Sequence, residues 1–237
     1  MIDSHCHLQE FEDLQAVIGN ASSAGITGMI CCGTDVESSK QVIQIAKRFE
    51  SVYATIGVHP ESNDDPLEIE NLINFPKVVA IGECGLDTDN PREIKLLKMQ
   101  VDLAKRHNLP LMIHNRKQDK KILEILGDYP KVILHCFTGD MVFMKECVKR
   151  GWYISFGGIV TFKSSHGLRD VAKAVPEDKL LVETDAPYIT PEPLRGTRNE
   201  PRNVKIVAAK IAEIRGTSIN QIEEVTARNA RRLFGIA

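Results

Sequence analysis

The chain has 237 residues, of which 43% are hydrophobic, and its 30 basic and 32 acidic side chains give a formal net charge of −2. This length and apolar content predict one well-packed domain over residues 1–237 and exclude a disordered chain. The near-neutral charge excludes binding of nucleic acid through overall positive charge, so any phosphate group must be held by local residues.

No apolar run reaches the length of a membrane span, and no basic, hydrophobic leader precedes the first strand-like segment. The six cysteines lie in or beside apolar runs rather than at the spacings of zinc knuckles. We therefore expect a cytoplasmic protein without a membrane partner, whose cysteines are small core residues.

Short apolar runs rich in β-branched residues alternate with longer segments of helical periodicity, which indicates β-α-β units and a parallel sheet. In chain order, strands are predicted over 1–7, 26–32, 52–58, 78–84, 109–114, 132–137, 152–157 and 180–185. Amphipathic segments predict helices over 13–25, 37–50, 91–108, 119–128, 141–151, 167–175, 203–216 and 218–235. The third crossover, 64–75, is short.

Eight strands with intervening helices predict a closed (β/α)8 barrel, the TIM barrel of the α/β class, with the last two helices covering it. An open, doubly wound sheet is the alternative. Its usual glycine-rich phosphate loop is missing after the first strand, where His5 and His7 stand instead.

Histidine and acidic side chains fall at the predicted carboxyl ends of the strands, where a barrel assembles its active site. In the first strand Asp3, His5 and His7 alternate, so we expect them to share one face. Later strand ends carry His59, Glu83, His114, His135 and Asp185. Five of the seven histidines thus lie where a barrel places its chemistry.

Imidazole and carboxylate groups together suit zinc, manganese, iron and similar divalent ions. The two histidines of the first strand are placed to chelate one ion, which Asp185 completes. His114 and His135 supply a second site, and Glu83 is the predicted bridge because its two oxygens can bind two ions. Two ions roughly 3.5–4 Å apart can hold a hydroxide at neutral pH and neutralise charge on a phosphoryl oxygen, which predicts a hydrolase.

Several motifs occur in a fixed order between residues 3 and 201: "DSHCHL", "IGVHP", "IGECGLD", "LPLMIHNR", "ILHCFTG", "FGGIVTFK" and "VETDAPYITPEPLRGTRNEP". In this order they resemble the TatD family of metal-dependent deoxyribonucleases, within the amidohydrolase-like TIM barrels. The resemblance implies hydrolysis of phosphodiester bonds in DNA, usually from a 3′ end. It also implies two divalent ions per chain, with magnesium, manganese and zinc as the candidates.

By that resemblance, Glu83 and Asp185 are catalytic, and Asp185 is both a metal ligand and the general base that takes a proton from the attacking water. One ion is assigned to His5, His7, Glu83 and Asp185, and the other to Glu83, His114 and His135.

Cationic side chains near the strand ends predict how a phosphate-bearing substrate is held. The loops after strands 7 and 8 often form the phosphate site of a barrel, and arginine suits bidentate contacts to phosphate. The predicted substrate contacts are His59, Arg116, Lys163, Arg195 and Arg198.

Residues beside the proposed ligands receive structural roles. Asp3 is interpreted as an acceptor that orients a histidine from deeper in the barrel. Alternation along the strands points Cys6, Cys84 and Cys136 away from the metals and under the helices.

Two departures from the family pattern fall in substrate loops. This chain reads "HPESND" after strand 3 and "GLDTDNPRE" after strand 4, where the family commonly has a second histidine and aromatic and arginine residues.

A two-metal amidohydrolase or esterase acting on an acyl or amide substrate, such as aminoacyl-tRNA, is the alternative enzyme. A binding protein without catalysis is the third hypothesis. We predict DNA, single-stranded or at 3′ ends, as the partner.

Overall fold

The computed structural model describes residues 1–236. Its eight strands are all parallel and pair in chain order. They are β1 (Ile2–Cys6), β2 (Gly28–Cys32), β3 (Val52–Ile56), β4 (Val78–Leu86), β5 (Leu111–Asn115), β6 (Val132–Leu134), β7 (Tyr153–Phe156) and β8 (Leu180–Val182).

The sheet closes on itself just beyond the carboxyl end of β8. Cys6 forms a parallel bridge with Ala186. The backbone N–H of His7 donates to the carbonyl of Ala186 at 2.7 Å, and the N–H of Asp185 donates to the carbonyl of His5 at 3.0 Å. The predicted closed barrel is therefore confirmed, and the open doubly wound alternative is wrong.

Helices cover the outside of the barrel. They are α1 (Leu14–Ser23), α2 (Val36–Arg48), α3 (Pro91–His107), α4 (Asp119–Leu126), α5 (Met141–Lys149), α6 (His166–Ala174), α7 (Val204–Arg215) and α8 (Ile219–Phe234). The crossover between β3 and β4 contains a 3₁₀ segment, Pro66–Leu72, where a helix would stand in a regular repeat. No helix within residues 1–236 combines the length and hydropathy needed to cross a membrane.

Local sequence signals set the ends of the helices. At the start of α3, the side chain of Asn90 accepts a hydrogen bond from the backbone N–H of Glu93, and Pro91 occupies the first helical position. The helix ends at Asn108, whose φ of 55° is left-handed. Glycine takes the same role after α7, at Gly216.

Two apolar clusters form the core. The larger one fills the space between the strands and the surrounding helices. The smaller one fills the amino-terminal half of the barrel interior, where α8 covers it, and includes Ile2, Ile30, Met112, Ile133, Leu181, Ala227, Ala230 and Phe234. Inward-facing side chains nearer the carboxyl ends are polar, and these form the site.

A candidate two-cluster metal centre

The six side chains predicted as metal ligands meet at the carboxyl end of the barrel. His5 belongs to β1, Glu83 to β4 and His114 to β5. His7 and His135 directly follow β1 and β6, and Asp185 lies three residues after β8. All are buried except His114, which is partly exposed. The structure therefore brings together residues that are up to 180 positions apart in the chain.

The first cluster consists of His5 Nε2, His7 Nε2, Glu83 Oε2 and Asp185 Oδ1. The two histidine nitrogens are 3.1 Å apart. Each lies 3.5 Å from the Glu83 oxygen and 3.4 Å from the Asp185 oxygen. Ligands bound at about 2.0–2.2 Å to one ion are separated by about 3.0–3.5 Å, so these spacings fit a single divalent ion.

The second cluster uses the other oxygen of the same glutamate. Glu83 Oε1 lies 2.9 Å from His135 Nε2 and 3.1 Å from His114 Nδ1. The two histidine nitrogens are 3.3 Å apart. Glu83 therefore joins two sets of ligand atoms through two different oxygens, the arrangement expected of a bridging carboxylate.

Each histidine of the first cluster is oriented through its other ring nitrogen. His7 Nδ1 lies 3.0 Å from the backbone carbonyl of Cys32, to which it donates its proton. His5 Nδ1 lies 3.3 Å from the Cys32 thiol sulfur. Residue 32 thus holds both rings with Nε2 turned into the cluster, as outer partners of metal-bound histidines do.

A carboxylate lies beside the outer ring nitrogen of each histidine of the second cluster. His114 Nε2 lies 3.0 Å from Asp87 Oδ1, which leaves Nδ1 free to act as a ligand. His135 Nδ1 lies 3.4 Å from Glu183 Oε1. The sequence reasoning missed both acids. Asp87 ends the "GECGLD" motif directly after β4, and Glu183 precedes Asp185 by two positions, so strand-end position was the available signal.

The charges of the centre depend on this packing. Burial acts to raise the pKa of Glu83 and of Asp185, but the facing histidines outweigh it and hold both pKa values well below their usual range. Burial and His5 act to lower the pKa of His135, whereas Glu83 and Glu183 raise it to about 9. Both carboxylates are therefore ionised at neutral pH, as metal ligands must be.

His59 faces the second cluster as a hydrogen-bond donor. Its Nδ1 accepts the backbone N–H of Glu61 at 3.2 Å, so the ring proton of the neutral form lies on Nε2. Nε2 points toward Glu83 Oε1 at 3.6 Å. Burial lowers the pKa of His59, which keeps the ring neutral. His59, Asp87 and His114 lie close enough to hold an ion, but this tautomer favours donation to a substrate oxygen.

The expectation for Asp3 is wrong, because β1 contains an extra residue between Asp3 and Cys6 relative to β2. The irregularity breaks the alternation that would have placed Asp3 on the face of the two histidines. Its carboxylate accepts hydrogen bonds from the backbone and hydroxyl of Thr184 at 2.9 and 2.6 Å, rather than from an imidazole. Burial raises the pKa of Asp3 to about 7.

The cysteine prediction holds for two of three positions. Cys6 and Cys84 are fully buried in the outer apolar cluster. Cys136 instead lines the cavity above the metal centre. It follows the end of β6 with a left-handed φ of 42°, and its N–H donates to Glu183 at 2.6 Å, so strand alternation no longer applies.

An open cavity of about 640 Å³ lies over the two clusters. Its polar walls include His59, Arg116, Lys117, Glu10, Asp35, Glu61 and Tyr188. Arg116 Nε lies 3.3 Å from Asp87, the acid that orients His114. Two of the five predicted substrate contacts, His59 and Arg116, therefore face this cavity.

The other three predicted substrate contacts are not in the cavity wall formed by residues 1–236. Lys163 is exposed at the surface. Arg195 stacks over the Phe162 ring at 4.2 Å, and Arg198 lies over the Phe11 ring at 4.8 Å. Their contact with substrate stays a prediction.

Comparisons with known proteins agree with this architecture. The family model described as TatD related DNase matches residues 2–235. The "Uncharacterized metal-dependent hydrolase YabD" of Bacillus subtilis is 39% identical, with 100% of this chain and 99% of that protein covered. The "3'-5' ssDNA/RNA exonuclease TatD" of Citrobacter koseri is 35% identical, with 97% and 95% covered.

A solved structure gives the same result. The Escherichia coli TatD homologue YJJV superimposes with a TM-score of 0.93 at 30% identity, covering 100% of this chain and 98% of that chain.

Proposed function

Because the chain belongs to the TatD-related DNase family of metal-dependent hydrolases, we propose that it is a nuclease that removes nucleotides from the 3′ ends of single-stranded DNA. A relative 35% identical over nearly the whole chain carries the name of a 3′-5′ exonuclease for single-stranded DNA and RNA. The reaction is hydrolysis of a phosphodiester bond.

The observation that carries the proposal is the position of Glu83 between two clusters. One of its oxygens lies with His5, His7 and Asp185, and the other with His114 and His135. These residues would hold two divalent ions such as Mg²⁺, Mn²⁺ or Zn²⁺. Such a pair lowers the pKa of water and stabilises the charge that develops on the attacking and leaving oxygens of a phosphodiester.

Asp185 is the proposed proton acceptor of the hydrolysis. Its carboxylate is ionised at neutral pH because the facing rings of His5 and His7 lower its pKa against the effect of burial. It also lines the open cavity, so that a water molecule on the substrate side can reach it. A positioned base of this kind removes the proton from water as the phosphorus is attacked.

Hydrogen-bond donors in the cavity wall, one neutral and two cationic, hold the phosphates of the substrate. His59 offers Nε2–H to a phosphoryl oxygen beside the second cluster. Arg116 and Lys117, exposed after β5, supply positive charge for the phosphates of the substrate strand.

An esterase acting on an aminoacyl ester is the second candidate, and the acidic part of the cavity wall favours it. Asp35 and Glu61 line the cavity, and carboxylates there complement the ammonium group of an aminoacyl substrate. The same pair of clusters serves attack on an acyl carbonyl.

One experiment separates the two candidates. Protein stripped of metal by a chelator is assayed with 3′-end-labelled single-stranded DNA, aminoacyl-tRNA and a simple amide, before and after Mg²⁺ or Mn²⁺ is restored. We expect the added metal to restore DNA hydrolysis most strongly. Glu83→Gln should abolish this activity, whereas Glu124→Gln, a change of an exposed glutamate on α4, should leave it intact.

Full activity of Glu83→Gln would remove the bridging role. Turnover of aminoacyl-tRNA without cleavage of DNA would establish the second candidate in place of the nuclease.

A further inference from the structure

An exposed aromatic ring borders the metal centre. Tyr188 is 51% exposed and lines the cavity, in contrast to the buried apolar side chains of the core. Its ring centroid lies 5.8 Å from that of His7, a residue of the first cluster, with the two ring planes 65° apart. One face of a large, flat side chain is therefore available to a molecule bound in the cavity.

The backbone that carries this ring is held firmly. The N–H of Tyr188 donates to the carbonyl of Asp185 at 2.8 Å. The carbonyl of Tyr188 accepts from Asn199 Nδ2, also at 2.8 Å, and the same amide nitrogen donates to the carbonyl of Thr184 at 2.9 Å. Because Asn199 is fully buried, the backbone at Tyr188 has a fixed position relative to Asp185, from which the exposed ring extends toward the cavity.

Charge is distributed unequally across the cavity. Arg116 and Lys117 follow β5, which lies opposite β1 in a closed barrel of eight strands. On the side of Tyr188, Glu10 lines the cavity. Arg198, which donates to the backbone carbonyl of Glu10, offsets the negative charge of Glu10 beside Tyr188. Positive charge in excess is thus found on the β5 side, so the phosphates of a bound strand are expected to lie there and the strand to end near Tyr188.

We propose that Tyr188 stacks on the base of the 3′-terminal nucleotide and so selects a substrate with an unpaired base at its end. A terminal nucleobase is separated from the phosphate that is cut by one sugar. The Tyr188 ring lies beside the first cluster, with its centroid 5.8 Å from that of His7, so a base can reach it while the phosphate lies at the clusters. Bases stack on aromatic side chains with little dependence on sequence, because every base has a flat face. The inference rests on the proposed nuclease function and identifies Tyr188 as the residue that recognises the end of the substrate strand.

The test uses two single-stranded oligodeoxynucleotides, both labelled at the 5′ end, that differ only at the 3′ terminus. One ends in a normal nucleotide and the other in an abasic sugar, so the same phosphodiester bond is cut in both. Initial rates in Mn²⁺ give kcat and KM for the wild type and for Tyr188→Ala, Tyr188→Phe and Tyr188→Leu. Phe75→Ala is the matched control, because Phe75 is an exposed aromatic residue before the amino end of β4.

Loss of the stack should lower kcat/KM of Tyr188→Ala for the normal end by roughly 5- to 150-fold, mainly through KM. The abasic end should be cut by Tyr188→Ala as well as by the wild type. Tyr188→Phe should keep the wild-type preference because its ring is retained, Tyr188→Leu should resemble Tyr188→Ala, and Phe75→Ala should change nothing.

The stacking role would be overturned if Tyr188→Ala slowed cleavage of both ends equally, or of neither. It would also be overturned if Tyr188→Phe lost as much as Tyr188→Ala, since the hydroxyl would then be responsible. In those cases the wild type still cuts DNA and the proposed function stands. Failure of the wild type to cut either oligonucleotide would instead remove the nuclease function, and the stacking role with it.

Discussion

The two ends of the barrel interior are built from the same strands but from opposite chemistry. At the amino end, Ile30, Met112, Ile133 and Leu181 pack in one apolar cluster with side chains of α8. At the carboxyl end, the same strands or the residues directly after them present histidines and acids. Apolar burial stabilises the first region, whereas the second holds largely buried ionised groups at the base of an open cavity.

The two ends therefore contribute differently: the apolar amino end stabilises the fold, and the polar carboxyl end forms the candidate active site. Leu181 and Asp185 lie four positions apart along one segment, yet Leu181 packs in the apolar cluster whereas the Asp185 carboxylate faces the rings of His5 and His7 at 3.4 Å. Functional sites commonly place polar and charged groups where apolar packing would be more stable. Changes at the two ends should therefore separate activity from stability.

After the complete loss expected for Glu83→Gln, the largest effect is expected at the carboxyl end, from Asp185→Asn. The substitution keeps the size of the side chain but removes the proton acceptor, so kcat should fall by about 10²–10⁴-fold. Steady-state kinetics on 3′-labelled DNA measure this loss, while metal content and the melting temperature show whether the fold and the ions are retained. A variant with normal kcat would show that another group accepts the proton.

At the amino end, Leu181→Ala should do the reverse. It removes a fully buried side chain from the apolar cluster and should lower the free energy of unfolding by about 2–5 kcal/mol. Urea denaturation followed by circular dichroism measures the change, and kcat of the folded protein should match the wild type. Loss of activity at full stability would mean that the two ends are not separable.

Asp87→Asn tests the carboxylate that orients His114 in the second cluster. Without the charged partner at 3.0 Å from Nε2, His114 is held less firmly with Nδ1 toward Glu83. Affinity for Mn²⁺ should fall by about 10- to 100-fold, as for other outer partners of metal ligands. Isothermal titration calorimetry gives the affinity, and an unchanged value would leave Asp87 with no role beyond its contact to Arg116.

A smaller effect, felt only at the carboxyl end, is the dependence of metal binding on pH. In the metal-free protein the pKa of His135 is raised to about 9, so the ring carries a proton at neutral pH that an ion must displace. Affinity should therefore increase as the pH rises toward 9, by about tenfold per unit for each proton released. Calorimetry in buffers of different ionisation enthalpy counts those protons, and no release at pH 7 would contradict the protonated state.

The sequence was informative where regular strand geometry decides the outcome. His114 and His135 could be placed because each comes at the end of an apolar run that the barrel aligns with its neighbours. Glu83 followed from the same reasoning on β4. The barrel itself was predictable from the alternation of eight strands with helices, the repeat of this fold, together with the missing glycine-rich loop that an open sheet would carry.

Local irregularities were beyond the reach of periodicity. Because β1 contains an extra residue, Asp3 contacts Thr184 and not an imidazole. Because the turn after β6 is left-handed, Cys136 lies in the cavity wall and not under the helices. The tautomer of His59 depends on one backbone N–H of the following loop. Asn199 could not be linked to Tyr188 either, because that contact joins two points of a long loop whose path no residue pattern specifies.

The central claim is that Glu83 bridges two ions at the carboxyl end of the barrel. Anomalous diffraction from crystals soaked in Mn²⁺ tests it most directly, because each ion gives its own peak. We predict two peaks, one among His5, His7, Glu83 and Asp185, and one among Glu83, His114 and His135. A single peak, or peaks that leave Glu83 outside the coordination of either ion, would contradict the claim.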